Sequence, residues 1–76
     1  MQNHRNIEDL APALKMLKLK EVAEKCKISR STIYDKLNTK SKRHDEEFPK
    51  PYKLGISSVA WLENEVEAWL KTRPKH

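Results

Sequence analysis

Seventy-six residues, 37% hydrophobic and 36% charged, make one small domain with a thin core and a heavily ionised surface. Sixteen Lys+Arg against eleven Asp+Glu give a net charge of +5, which favours polyanionic partners. The longest apolar run, Leu10–Leu14 with Pro12 inside it, is far short of the roughly twenty residues of a transmembrane helix. The single Cys26 excludes an internal disulfide, and the single Gly55 excludes a phosphate-cradling glycine loop.

In chain order, Met1 to Lys15 is expected to be a loose arm without an apolar signal-peptide segment. Leu19, Val22, Ala23 and Cys26 fall at i, i+3, i+4 and i+7, one face of a short helix. Glu21 and Lys25 are spaced for an i,i+4 ion pair along that helix. Lys27 and Ile28 follow, and Ser29 is a good N-cap for a second helix from Arg30 to Leu37, with Ile33 and Leu37 inward. Thr39 to Glu47 is polar and reads as a loop. From Phe48 to Leu54 the period changes to two, with Phe48, Tyr52 and Leu54 alternating with Pro49, Pro51 and Lys53. Only an edge strand tolerates those prolines, because each lacks a ladder donor. Gly55 supplies a turn, and Val59 and Trp61 mark a returning strand. A last helix, Glu63 to Arg73, buries Leu62, Val66, Trp69 and Leu70, with acids in its first turns and bases in its last. Asn64 and Glu67 could form a capping box that starts it one residue later, and Pro74 ends it, leaving residues 74–76 as a tail. The chain therefore divides into an arm (1–15), one folded unit (16–73) and that tail.

Two helices across a tight turn, a two-stranded antiparallel ribbon and a packing helix outline a mainly α winged helix-turn-helix. The charge agrees: between Lys15 and Arg43 ten basic residues face three acids, whereas Asp45 to His76 holds five against six. A solvated lysine-rich surface would account for that excess alone equally well. The second helix of such a unit enters the major groove, where base edges differ in donor and acceptor pattern. Arg30, Ser31, Tyr34 and Asp35 project away from Ile33 and Leu37, so they are the candidate base-reading residues. Arg30 leads because a guanidinium pairs bidentately with guanine. Ser29, Thr32, Lys36, Lys40, Lys42 and Arg43 are the candidate backbone contacts. Lys50, Lys53, Ser57 and Ser58 extend them along the ribbon.

At this point the residues resemble a known family. Leu17-Lys18-Leu19-Lys20-Glu21-Val22-Ala23, Ser29-Arg30-Ser31-Thr32-Ile33-Tyr34, Phe48-Pro49-Lys50-Pro51 with Leu54-Gly55, and Ser58-Val59 with Trp61 through Glu65-Val66-Glu67-Ala68-Trp69-Leu70 look like the AlpA family of prophage regulators, over about Met16 to Arg73. The resemblance implies an excisionase-like winged helix-turn-helix that binds double-stranded DNA, activates integrase or excision genes of an integrated element, or directs its excision. It leaves room for cooperative self-association on repeated sites and for an integrase partner. It also implies a bacterial cytoplasmic, nucleoid-associated protein. Two positions depart from the family pattern. Lys27 stands where Gly is usual, at a turn position that wants a positive φ. Ser57 stands where Lys or Arg is frequent, which weakens the expected grip of the wing on phosphate.

The remaining residues have plainer readings. Cys26 lies on the apolar face as a small core residue. His4, His44 and His76 are not spaced as metal ligands. Trp61 and Trp69 fit the core better than a stacking platform for single strands. Tyr34 either touches DNA or closes a gap over the wing. Asp45-Glu46-Glu47 reads as a solvated loop that would repel phosphate. A basic protein-interaction module without DNA binding is the alternative class. No paired carboxylates or Ser/His/Asp set point to an enzyme, and no metal, cofactor, small-molecule ligand or membrane is expected.

Overall fold

The computed structural model describes residues 14–75. The expected arm lies outside the described residues apart from Leu14 and Lys15, as does His76 of the tail. Six elements follow in order: β1 (Met16–Leu17), α1 (Leu19–Cys26), α2 (Arg30–Leu37), β2 (Tyr52–Lys53), β3 (Val59–Leu62) and α3 (Glu63–Lys71). The three strands form an antiparallel sheet in the order β1-β3-β2. This is a mainly α winged helix-turn-helix, and both helices of the turn have the expected bounds.

One cluster holds the molecule together. Leu17, Val22, Ile33, Phe48, Trp61, Val66 and Trp69 are buried, and Leu19, Ala23, Cys26, Ile28, Leu37 and Leu70 pack against them. Every element except β2 contributes to it, so no piece buries its apolar side without the others. Both tryptophans are core residues. The Trp61 indole N–H donates to the Pro49 carbonyl at 2.9 Å, which satisfies its one polar atom inside the core.

The sheet has one strand more than the expected ribbon. Met16 pairs with Leu62 and Leu17 with Trp61. Two residues are too few to show alternation, so β1 exists only because β3 offers a free edge. The same contact settles where α3 begins. Leu62 is its N-cap without a side-chain cap, and the Glu63 N–H donates to the Lys15 carbonyl at 2.9 Å. One of the unpaired N–H groups at the helix start is thus satisfied by the segment leading into β1. The helix starts at Glu63, not one residue later, and ends at Lys71 rather than Arg73.

The first wing strand is also shorter than its apolar pattern. Phe48 is buried, whereas Tyr52 and Leu54 are exposed, so the three do not share an inward face. Pro49 and Pro51 interrupt the ladder, and pairing starts at Tyr52, opposite Ala60. Phe48 meets the Trp69 ring edge-on, with centroids 4.9 Å apart at 82°. The Tyr52 hydroxyl donates to Glu65 at 2.9 Å and ties the wing to α3.

The expected Glu21–Lys25 pair is replaced by other partners. The Glu21 carboxylate accepts the Lys18 backbone N–H at 2.7 Å. This is one half of a capping box, since a lysine ammonium has no lone pair to accept the other. Lys25 reaches across to α3, 3.0 Å from Glu67 and 3.4 Å from Glu63. The Glu67 hydrogen bond is the main reason its pKa is raised.

Lys27 closes α1 in the left-handed conformation, φ 59 and ψ 40, as the turn requires. It is the one non-glycine with positive φ among the described residues. The Lys27 and Ile28 N–H groups both donate to the Ala23 carbonyl, satisfying a helix end that would otherwise be orphaned. A Cβ is strained there, so Lys27→Gly is expected to raise stability by about 1 kcal/mol in urea denaturation. A less stable variant would show that the side chain, not the backbone, decides at this position.

Candidate nucleic-acid interface

The presented surface is built on α2. Its N-cap Ser29 accepts the Thr32 backbone N–H through Oγ at 3.1 Å, and the same oxygen lies 2.8 Å from Thr32 Oγ1 and 3.2 Å from Ser31 Oγ. Three hydroxyls are thus gathered over the helix N-terminus, where exposed backbone N–H groups and the helix dipole favour an anion. Ile33 is fully buried and Leu37 half-buried. Arg30, Ser31 and Tyr34 are all exposed: a 100° step per residue carries Ser31 well away from Ile33 and Leu37, whereas Arg30 shares their side of the helix and reaches solvent as its first residue. Tyr34 is 58% exposed, so it does not close over the wing.

The other expected contacts separate into two groups. Lys40, Lys42, Lys50, Lys53, Ser57 and Ser58 are exposed. The loop that carries the first two is pinned by its own turns: Asn38 Oδ1 accepts the Lys40 N–H, Ser41 Oγ accepts the Arg43 N–H, and the Asp45 N–H donates to the Lys36 carbonyl, each at 3.0 Å. Arg43 stands 3.7 Å from Asp35. Such an exposed pair is worth about 0–1 kcal/mol, so it holds Arg43 near α2 without binding it firmly. Asp35, opposite Ile33 and Leu37 on α2, keeps a partly exposed side chain beside Arg43. Lys36 is placed differently again. Its ammonium sits over the Trp69 ring, 5.1 Å from the centroid, which gives it a packing role at the flank of the surface.

Asp45 is the residue that sequence reasoning placed wrongly. It is not a solvated member of an acidic triplet. Its carboxylate accepts the Trp69 indole N–H at 2.9 Å and the Glu47 backbone N–H at 2.9 Å, and lies 3.6 Å from Arg73. The indole bond first, then the Glu47 amide and the Arg73 charge, hold its pKa below the usual carboxylate range against the cost of burial. Arg73 in turn covers Trp69, its guanidinium carbon 4.3 Å from the ring centroid. The tryptophan partner stands 24 residues away in the chain, and no local pattern pointed to it. Cys26 is half-buried, and burial pushes its thiol pKa up, which disfavours the reactive thiolate. Among the described residues no group of His, Cys, Asp and Glu could hold a metal ion, and no helix is long and apolar enough to cross a membrane.

A capped helix with an outward Arg-Ser-x-x-Tyr face, a pinned basic loop and a basic wing define a protein of the winged helix-turn-helix class. Over residues 15–74 the chain matches the family described as prophage CP4-57 regulatory protein (AlpA). It belongs to that family. It is 48% identical to the DNA-binding transcriptional activator AlpA of Escherichia coli (strain K12) over 63 residues, 83% of this chain and 90% of that one. It is 41% identical over 59 residues to the uncharacterized protein ORF88 of Enterobacteria phage P4, covering 78% of this chain and 60% of the phage protein. No solved structure gives a significant match.

Proposed function

We propose that this protein is a sequence-specific double-stranded-DNA-binding regulator of an integrated mobile element, activating transcription of its integrase or excision genes. The observation that carries the reading is the outward Arg30, Ser31 and Tyr34 face of α2, framed by exposed cations on the loop and the wing. The E. coli relative bears the name of a DNA-binding transcriptional activator, which supports the same class. Arg30, Ser31 and Tyr34 read bases. Lys40, Lys42, Arg43, Lys50 and Lys53 neutralise phosphates, aided by Ser29, Thr32, Ser57 and Ser58. Asp35 orients Arg43 at the edge of the base-reading face, and Lys36 adds charge at its flank.

A domain of this size reads few base pairs, so two or more copies on repeated or inverted sites are expected to bind cooperatively in the bacterial cytoplasm. The same surface would serve an architectural factor that works with an integrase. Footprints over the integrase promoter support activation, and footprints over the attachment site support excision. The test of DNA binding itself is a salt titration on element DNA and on a random duplex. Five exposed cations predict a slope of log K against log salt of about −4 to −5, at roughly 0.9 per phosphate neutralised. A flat salt dependence with equal affinity for both duplexes would refute the reading.

A further inference from the structure

The apex of the wing carries an apolar cluster that neither the core nor the base-reading helix uses. Ile56 is 98% exposed, with Leu54 at 58% and Val59 at 41% beside it. Single exposed apolar residues are ordinary, but three grouped at the tip of one element are not. The tip is held firmly. The Leu54 N–H donates to the Ser58 carbonyl at 2.7 Å, Lys53 pairs with Val59, and Tyr52 is anchored on Glu65. Gly55, Ile56 and Ser57 are thereby left as a narrow projecting turn.

We propose that Ile56 is an apolar wedge that enters the minor groove and partly unstacks a base step, bending the duplex on which α2 is docked. The inference rests on the DNA-binding reading above. Charge favours this occupant: Lys50 and Lys53 lie on the arm leading into the tip, and no acidic residue occurs from Phe48 to Leu62. Size favours it too. A stable protein interface needs on the order of 800 Å² from each partner, more than three side chains on a hairpin tip supply. The minor groove is about 6 Å wide and takes one such tip. Aliphatic side chains inserted between base steps kink DNA toward the major groove, and pyrimidine–purine steps yield most easily. Ser57 and Ser58, both exposed beside the wedge, supply hydroxyls for sugar or phosphate. A serine at position 57 leaves the turn slim, where a lysine or arginine would add bulk beside the wedge.

The experiment compares the full chain with Ile56→Ser and Ile56→Leu on a duplex chosen by footprinting the wild type on element DNA. The bend is read by energy transfer between labelled duplex ends, and unstacking by 2-aminopurine fluorescence at the contacted step. Wild type and Ile56→Leu are expected to bend the duplex and raise the fluorescence. Ile56→Ser is expected to lose most of both signals and roughly tenfold in affinity, with an unchanged melting temperature because Ile56 packs against nothing. A wild-type complex that leaves the duplex straight overturns the proposal while the DNA-binding reading stands. So does an Ile56→Ser complex bent like wild type, including one that loses only multi-copy binding and so assigns the tip to a second copy. A wild type that binds no duplex removes both.

Discussion

Replacing Trp69 with alanine is expected to cost about 3–5 kcal/mol, the usual range for a truncated core aromatic, and so to leave much of the population unfolded. Small domains have only about 5–15 kcal/mol in hand. The size follows from how much converges on one side chain. Its ring takes the edge of Phe48 and lies under both Lys36 and Arg73, and its N–H serves Asp45. Alanine removes the packing and strips the Asp45 carboxylate of its main hydrogen-bond donor. Trp69→Phe separates the two losses, because a ring is kept and only the indole donor goes; about 1.5–3 kcal/mol is expected for a bond to a charged acceptor. The pH dependence distinguishes them further. A carboxylate whose folded pKa is depressed adds stability that is present above its unfolded pKa and lost as pH falls through the folded one. Trp69→Phe should therefore flatten the acid limb of the stability curve. Urea denaturation between neutral pH and the acid range reads both effects, and an alanine variant as stable as wild type would overturn the account of the core.

Arg30→Ala is expected to weaken binding to the cognate duplex by about 1–3 kcal/mol, about 5- to 150-fold, and to relax preference at one base pair. Stability should not change, since Arg30 is exposed and does not pack into the core. Lys40→Ala is the matching control. A lysine that meets phosphate is worth the same on every sequence, so its loss should weaken cognate and random duplexes alike and reduce the salt slope by about one. Lys36 is a poorer control because its ammonium lies over Trp69, and its removal mixes stability with binding. Equal losses for Arg30→Ala on cognate and random duplexes would remove Arg30 from base reading and leave it among the phosphate contacts.

Much of the fold is legible in the sequence, for local reasons. The i, i+3, i+4, i+7 spacing from Leu19 to Cys26, the Ser29 cap and the two inward residues of α2 are properties of a few consecutive side chains. The strain at Lys27 is legible by another route, through the family resemblance that puts Gly at that turn position. The exposure of Arg30 does not follow from the helical spacing, since Arg30 lies on the same side of α2 as Ile33 and Leu37 and reaches solvent as the first residue of the helix. The misreadings share one cause. β1, the start of α3, the Phe48 corner, the Lys25 bridge and Asp45 depend on partners distant in the chain, and no local pattern names them.

The amino-acid order alone determined that two short helices meet across a tight turn, because helical periodicity and capping act over a turn or two. It also determined the basic half of the chain, since charge is a matter of composition. Only the tertiary structure decided that Met16 and Leu17 complete a sheet, that Asp45 and Lys36 serve Trp69, and that Ile56 stands clear at the wing tip. Those outcomes were settled by which surfaces remain unsatisfied once the core closes: a free strand edge, an indole N–H and a turn too narrow to fold back on itself.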